Sequence, residues 1–274
     1  MDPLVSINIP TYNSGRTLSE CLESIKKQEY RNIEVVIIDS YSKDSTLEIA
    51  NRYGARIFSA DSLAQAREVG VRNSLGKYIF LVDSDQVLEA DTVSACVAVC
   101  EEKGFDGVTL FERSKIVKNT FAERIIAYDK WLFHTEQDDD PVYGSAIPRF
   151  FRADFLQKVN FSENPPITFE HSIIHQEVVK MGAKITFLNV YINHYETPTF
   201  TAVAKKFYRY GYYYIPAFKK RPKLAFGHSL PRRSYFSIRM LKNPILGFGL
   251  FMLYLVKATS AAFGGLRYTL DNLK

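Results

Sequence analysis

The chain has 274 residues, with 35 Lys and Arg against 30 Asp and Glu, and a formal net charge of +5. Hydrophobic residues make up 46% of it, which is enough for a packed core and excludes an intrinsically disordered chain. Only three cysteines are present, Cys21, Cys96 and Cys100, so a small disulfide scaffold is excluded and we expect reduced packing residues.

Short apolar runs alternate with helical patterns over the first 82 residues. The runs that predict strands are residues 4–9, 33–38, 55–58 and 78–82, and the segments that predict helices begin near residues 18, 46 and 64. In these helical segments apolar residues recur every three or four positions, which is typical of helices that pack one face on a sheet. The alternation predicts a parallel sheet covered on both faces, whose ligands bind at the carboxyl ends of the strands.

Polar segments follow three of these predicted strands. They are Pro10, Thr11, Tyr12 and Asn13 after the first strand, Asp39 after the second, and Asp83, Ser84 and Asp85 after the fourth. In an extended chain the side chains of Asp83 and Asp85 point to the same face, so both can ligate one divalent cation. Oxygen ligands favour magnesium or manganese over zinc. Taken alone, the Asp-Ser-Asp pattern is also typical of a polar turn, and Asp39 of a helix cap.

Together these segments resemble the family 2 glycosyltransferases with the GT-A fold, enzymes that use nucleotide diphospho-sugars. The resemblance extends over most of residues 4–211 and is most specific in 5–13, 34–40, 66–70 and 76–85. It implies an α/β GT-A fold with a mostly parallel sheet and helices on both faces. It also implies that Pro10, Thr11, Tyr12, Asn13 and Asp39 bind the nucleoside, and that Asp83, Ser84 and Asp85 bind the ribose and the metal-bound diphosphate. Arg67 in an Ala-Arg-x-x-Gly pattern is expected at the diphosphate, with a solvated helix residue as the alternative.

The resemblance also points to a base and a further metal ligand. The family has Glu-Asp at the start of a helix where this chain has Glu170 and His171, so either residue is a candidate base for the acceptor hydroxyl. We favour Glu170, because a partly buried carboxylate near a diphosphate can titrate near neutrality. His194 follows an apolar run and matches a family histidine that completes the metal shell with Asp83 and Asp85. The expected cofactor is Mn²⁺ or Mg²⁺, and the alternative for His194 is a strand-end histidine bonded to the backbone.

Charge is divided unevenly along the chain. Residues 1–196 contain 21 Lys and Arg against 29 Asp and Glu, whereas residues 197–270 contain 13 basic residues and no acidic one. Aromatic residues are interleaved with these cations, which is typical of a segment at the headgroup boundary of an anionic membrane. The following segment, about 245–266, has Lys257 as its only charge and is long enough to cross a bilayer once. A re-entrant or interfacial helix is the alternative, because Lys257 and several glycines weaken the segment.

These features predict a GT-A catalytic domain at residues 1–198 and a membrane module at residues 199–274. No apolar leader precedes the first strand and the basic flank follows the positive-inside rule, so we expect the cell membrane with the catalytic domain on its cytoplasmic side. The arrangement is similar to polyprenyl-phosphate sugar transferases and, more distantly, to cellulose-synthase-like enzymes. Residues 206–210 share the spacing of the latter's Gln-x-x-Arg-Trp segment, which implies that Arg209 lies near the diphosphate; the alternative is an amphipathic helix at the membrane surface.

The predicted function is inverting, metal-dependent transfer of one sugar from a nucleotide sugar to a lipid-linked acceptor. Mannose from GDP-mannose is preferred over glucose from UDP-glucose, and the acceptor is a polyprenyl phosphate, a lipid-linked oligosaccharide or a glycolipid. A sugar nucleotidyltransferase would need a Gly-rich phosphate loop that residues 10–15 do not provide. A nucleic-acid-binding protein with a basic tail is the other alternative, but the apolar segment after the tail argues against it, so we expect no nucleic-acid partner.

Overall fold

The structure, a computed structural model, describes residues 2–136, 142–143, 146–161, 169–230 and 237–273. The strands of the described residues are β1 (Val5–Thr11), β2 (Ile33–Asp39), β3 (Arg56–Ser59), β4 (Tyr78–Leu81), β5 (Gln86–Leu88), β6 (Gly107–Lys115), β7 (Ala146–Arg152) and β8 (Ile185–Tyr195). The helices are α1 (Leu18–Lys26), α2 (Thr46–Arg52), α3 (Leu63–Arg72), α4 (Thr92–Lys103), α5 (Phe121–Glu136), α6 (Ala153–Leu156), α7 (Glu170–Lys180), α8 (Phe200–Lys220), α9 (Pro222–Ser229) and α10 (Pro244–Asp271). A 3₁₀ turn, Ile238–Lys242, precedes α10.

The strands form one sheet in the order β3-β2-β1-β4-β7-β6-β8-β5. The first four strands are parallel, as the sequence predicts, and the register pairs Thr11 with Asp39 and Val5 with Tyr78. The pairs β4–β7, β6–β7 and β5–β8 are antiparallel, so the sheet is mixed rather than mostly parallel. Antiparallel neighbours need no helical crossover, and the apolar pattern of a strand does not encode its direction.

Helices cover both faces of the sheet, as expected. Alternate residues of β1, Val5, Ile7 and Ile9, belong to a buried cluster that also contains residues of α1 and α4. On the opposite face, Ile79 and Leu81 of β4 pack with residues of α6 and α7. Because side chains alternate across a strand, β4 contributes Tyr78 and Phe80 to the first cluster and Ile79 and Leu81 to the second, so the sheet edge bearing the polar turns is held from both faces.

Contacts divide the chain into two compact units. The first unit consists of the described residues within 1–112, 146–164 and 171–194. The second unit consists of those within 113–145, 165–170 and 195–274. The second unit has its own apolar core, formed by Ile125, Leu132, Val203, Leu250 and Leu253. The sequence placed one boundary near residue 198. The structure adds α5 to the C-terminal unit, because the apolar residues of α5 pack in that core.

The last helix, α10, has 28 residues, and its most apolar stretch has a mean hydropathy of 1.6 with 17% of the stretch buried. Among the described helices it is the one that is long and apolar enough, by length and composition, to cross a membrane. It contains the whole of the apolar segment 245–266 and extends beyond it.

Candidate active site

The loops after β1 and β2 meet at Asp39, which is 2% exposed. Its Oδ1 accepts hydrogen bonds from Thr11 Oγ1 at 2.7 Å and from Ser42 Oγ at 2.6 Å, and its Oδ2 accepts one from the Ser42 amide at 2.8 Å. The parallel register places Thr11 opposite Asp39, which explains the first of these bonds. Asp39 therefore lies at the carboxyl edge of the sheet, as expected, and orders the turn that follows β2.

The loop after β1 is tied to the same turn through Asn13. The Asn13 amide donates to Ser42 Oγ at 2.7 Å, and its side-chain Oδ1 accepts from the Lys43 amide at 2.9 Å. Asn13 has a φ of 49°, in the left-handed region that asparagine tolerates better than most residues. Pro10 is half-buried between the buried Ile9 and Thr11 of β1, and Tyr12 is 67% exposed. An exposed aromatic side chain thus directly follows Thr11, which is buried and hydrogen-bonded to Asp39.

Asp83, Ser84 and Asp85 form the turn between β4 and β5 rather than an extension of β4. The Asp83 amide donates to Gln86 Oε1 at 2.9 Å, and the hydroxyls of Ser84 and Ser14 lie 2.8 Å apart, which joins this turn to the loop after β1. Because the chain turns here, the argument that an extended chain points both carboxylates to one face does not apply. The two aspartates have different partners.

Asp83, whose side chain is 30% exposed, joins a network whose other ionic groups are buried. Its Oδ1 is 2.5 Å from Arg67 and its Oδ2 is 3.0 Å from Arg149, and Arg149 also lies 2.6 Å from Glu112. Gln86 Nε2 donates to the same oxygen of Glu112 at 2.6 Å. Burial alone would raise the pKa of Asp83, but the charges of Arg149 and Arg67 outweigh burial and hold that pKa well below its usual range.

Sequence reasoning missed three members of this network, Arg149, Glu112 and Gln86. A signal was present in β6, where Val108 and Leu110 are core residues and Glu112 follows at the same spacing. A carboxylate at a core-facing strand position requires a buried cation. Arg67 is 2% exposed, so the alternative of a solvated helix residue is excluded.

Asp85 faces His194 instead. Its Oδ2 lies 3.5 Å from His194 Nε2, and the β5–β8 register pairs His194 with Gln86, the residue after Asp85. The side chain of Asp85 is 42% exposed and that of His194 is 15% exposed. His194 lies within β8 rather than after it.

A carboxylate and an imidazole at this separation fit two positions in the shell of Mn²⁺, whereas Mg²⁺ prefers oxygen ligands and would rely on Asp85. The described residues contain no group of three or more His, Cys, Asp or Glu arranged to hold a metal ion. Magnesium-type sites commonly use one or two carboxylates together with substrate phosphates, so a two-ligand site suits a metal that arrives with a diphosphate.

Of the candidate bases, Glu170 is the first residue of α7 and is 7% exposed. Phe169 before it has a φ of 66°, a strained conformation for a bulky side chain. The Phe169 ring stacks on His228 at 4.5 Å and meets Tyr214 edge to face at 6.0 Å, so α9 and α8 fix the residue that precedes Glu170. His171 is half-buried, and its charge also lowers the pKa of Asp83, which places it within electrostatic reach of that group.

Arg209 and Glu170 belong to the second unit, whereas the remaining candidate residues belong to the first. Arg209 is exposed on α8. The structure therefore brings together the loops after β1, β2 and β4 with Arg67 and His194, in one rigid sheet edge.

A parallel half-sheet with polar loops and an acidic turn at its carboxyl edge is typical of α/β nucleotide-binding domains. The family model described as Glycosyl transferase family 2 matches residues 6–169, more than half of the chain. The chain belongs to glycosyl transferase family 2. The expected GT-A-like fold and the expected enzyme class, a glycosyltransferase, are thereby confirmed at the level of the family.

Two relatives come from Streptococcus pneumoniae. The glycosyltransferase GlyG is 34% identical over 116 residues, which is 39% of this chain and 38% of GlyG. The glycosyltransferase GlyA is 26% identical over 212 residues, which is 69% of this chain and 30% of GlyA. The match thus spans less than two fifths of the length of either relative.

Solved structures share the fold over almost the whole chain. The mannosyltransferase PcManGT from Pyrobaculum calidifontis, in complex with GDP-Man and Mn²⁺, has a TM-score of 0.57 at 16% identity and covers 99% of this chain and 76% of its own. S. aureus TarS 1–349 has a TM-score of 0.56 at 15% identity and covers 99% of this chain and 92% of its own. At these identities the likeness is one of fold.

Proposed function

We propose that the protein is an inverting, metal-dependent glycosyltransferase that moves one sugar from a nucleoside diphosphate sugar to a lipid-linked acceptor at a membrane. The observation that carries this proposal is the pair of Asp85 and His194, 3.5 Å apart, beside a turn that a buried ionic network holds in place. GDP-mannose is the preferred donor and UDP-glucose the second. The fold is shared with a mannosyltransferase solved with GDP-Man and Mn²⁺ and with TarS solved with UDP-GlcNAc.

In this proposal each part of the sheet edge has one task. Asp85 and His194 would hold Mn²⁺ or Mg²⁺, which neutralises charge on the leaving diphosphate when bound. Asp83, which the sequence also offers as a metal ligand, is held by two arginines and instead fixes the turn that presents Asp85. The nucleoside would lie along Pro10, Thr11, Tyr12, Asn13 and Asp39, with Ser84 and Arg67 at the ribose and diphosphate and Arg209 as a further diphosphate contact.

The chemical step is a direct displacement. The acceptor oxygen attacks the anomeric carbon, the bond from that carbon to the diphosphate oxygen breaks, and the configuration inverts. The proton of an acceptor hydroxyl goes to Glu170, with His171 as the alternative base. The position of Glu170 as the buried first residue of α7 supports this choice, since a base must be held in a fixed place beside the hydroxyl that it deprotonates. A phosphate acceptor would need no base.

We place the protein at the cell membrane with its catalytic domain on the cytoplasmic side. Two observations support membrane association: the hydropathy of α10 and the excess of cations after residue 197. Basic segments bind anionic cytoplasmic leaflets. A lipid-linked acceptor would be reached there, whereas a nucleic-acid partner would leave α10 without a role.

Calorimetry tests the proposal. GDP-mannose, UDP-glucose and the free nucleotides are titrated into the full chain with and without Mn²⁺, and the titrations are repeated on Asp85→Ala. Asp91→Ala is the matched control, because Asp91 is exposed and its side chain makes no cap hydrogen bond. We expect metal-dependent binding of one nucleotide that Asp85→Ala abolishes and Asp91→Ala retains. Equal binding by both variants, or no binding of any nucleotide, would overturn the proposal.

A further inference from the structure

Helices α8 and α10 lie side by side in the second unit and run in the same direction. Three contacts show this direction, because the residue numbers increase together on both helices. Lys257 Nζ is 5.3 Å from the ring of Phe207, and Lys219 Nζ is 5.9 Å from the ring of Tyr268. Between them, a Cβ at Gly211 would lie 2.0 Å from the Ala261 carbonyl oxygen. The close approach at Gly211 leaves no room for a side chain. The two helices therefore form one packed pair over most of the length of α8.

Lys257, near the midpoint of α10, is paired with a third helix. Lys257 Nζ lies 2.6 Å from Asp129 Oδ2 on α5, and the Tyr254 hydroxyl donates to Asp129 Oδ1 at 2.6 Å. The side chains of Lys257 and Asp129 are 22% and 14% exposed. This ion pair attaches the midpoint of α10 to α5. Any placement of α10 in a membrane must therefore place α5 and α8 with it.

The helix paired with α10 is strongly basic. Exposed cations of α8 are Lys205, Arg209, Lys219 and Lys220, and residues 197–270 contain no acidic residue. If α10 crossed the hydrocarbon core, α8 would be drawn into it together with these cations and with the Lys257–Asp129 pair. Charged side chains in the hydrocarbon core are strongly unfavourable. The packing therefore argues against a crossing helix.

The face of α10 away from this packing is apolar along the helix. Its large side chains, 47% to 70% exposed, are Ile245, Phe248, Leu255, Phe263, Leu266 and Leu270. Their spacing of three, four, seven or eight residues places them on one side of the helix, and we call them the α10 stripe. Thr259 interrupts the stripe, but its hydroxyl donates to the Leu255 carbonyl at 2.8 Å within the helix. The stripe extends about 40 Å.

We propose that α10 lies in the plane of an anionic membrane surface, with the α10 stripe buried among the lipids and the cations of α8 at the headgroups. Charge complementarity identifies the occupant, because an apolar stripe beside a cationic helix matches the interface of an anionic bilayer. The exposed Trp131 of α5, which stacks on Tyr128 at 5.6 Å, is of the type enriched at that interface. The inference rests on the membrane placement proposed above and is independent of the donor and the acceptor.

Labels placed along the stripe test this arrangement in the full chain. Ile245→Cys, Leu255→Cys and Leu266→Cys are each labelled with the fluorophore NBD; the three native cysteines are buried and give little background. The proteins are added to sealed vesicles of 70% phosphatidylcholine and 30% phosphatidylglycerol, and dithionite is then added outside. An in-plane helix predicts a blue-shifted emission at all three positions and complete reduction of all three labels. Protection of either end until the vesicles are permeabilised shows a crossing helix and overturns the proposal.

Vesicle flotation supplies the matched comparison. Phe263→Glu should reduce binding to these vesicles at least tenfold, whereas Leu75→Glu, at an equally exposed apolar residue of the first unit, should leave it unchanged. Equal effects of the two variants would overturn the proposal, as would a wild-type chain that binds no vesicles. The proposal would also be overturned if the wild-type chain is a dimer in gel filtration and Phe263→Glu dissociates this dimer without changing vesicle flotation. Nucleotide binding by the same variants is measured separately, so failure of the proposed enzyme activity is distinguishable from failure of the surface.

Discussion

Replacement of Arg149 by methionine should destabilise the first unit by about 3–5 kcal/mol, because removal of one partner of a buried ionic network leaves the other charge uncompensated. Arg149 is 2% exposed and lies 3.0 Å from Asp83 and 2.6 Å from Glu112. In the variant Arg67 still pairs with Asp83, whereas Glu112 loses the guanidinium at 2.6 Å and keeps the hydrogen bond from the neutral Gln86. The loss should therefore centre on the carboxylate of Glu112.

Arg152 on the same strand is the matched control. Its side chain is 37% exposed and pairs with Asp106 and Asp154, each at 2.9 Å, so Arg152→Met should cost below about 1 kcal/mol. Urea denaturation followed by far-UV circular dichroism measures both variants. Adding Glu112→Gln to Arg149→Met should recover part of the lost stability, because it removes the uncompensated charge. If Arg149→Met costs no more than Arg152→Met, the network does not hold the Asp83 turn and the reasoning is refuted.

Three further predictions concern the base, the helix ion pair and the thiols. Glu170→Gln should lower kcat at least about 100-fold with a hydroxyl acceptor while donor binding by calorimetry stays within about twofold, since only proton uptake is lost. Lys257→Met should destabilise the second unit by about 1–3 kcal/mol in thermal unfolding, because Asp129 loses its cation, and Lys257→Met with Asp129→Asn should recover most of it. Burial raises the pKa of Cys100 to about 12, so native protein at pH 8 should leave its thiols unreacted with Ellman's reagent until denatured. The residues concerned are Cys21, Cys96 and Cys100.

The first four strands and the helices between them could be predicted from sequence because each has a clear apolar period. The sequence places a helix at Leu18 and a strand at residues 33–38, and the structure has α1 from Leu18 to Lys26 and β2 from Ile33 to Asp39. The direction of the strands in the antiparallel half could not be predicted, since the alternation of apolar and polar side chains is the same whichever way a strand runs. The carboxyl edge of the parallel half follows from topology alone, which is why the polar loops could be grouped correctly.

The partners of the acidic turn could not be predicted, because they come from distant parts of the chain. Arg67 lies on α3, Arg149 on β7 and Glu112 on β6, and only the packed sheet brings them to Asp83. The partner of Lys257 was hidden for the same reason. In the sequence Lys257 is an isolated charge within an apolar segment, and only the packed structure shows that Asp129 of α5 is its partner. Buried charges are paired through tertiary structure, so a sequence shows the need for a partner but not its identity.

The two aspartates of the acidic turn lie in different environments. Asp83 and Glu112 together offset the charges of Arg67 and Arg149, so this buried network is close to neutral. The negative charge presented at the turn is then that of Asp85, whose side chain is 42% exposed beside His194. One carboxylate and one imidazole make a weak site for a divalent cation on their own, and diphosphate oxygens would complete it. In the proposed site the Asp83 network and the exposed Asp85 would be complementary, since a sparse site selects a metal–diphosphate pair only if its ligands are already in place.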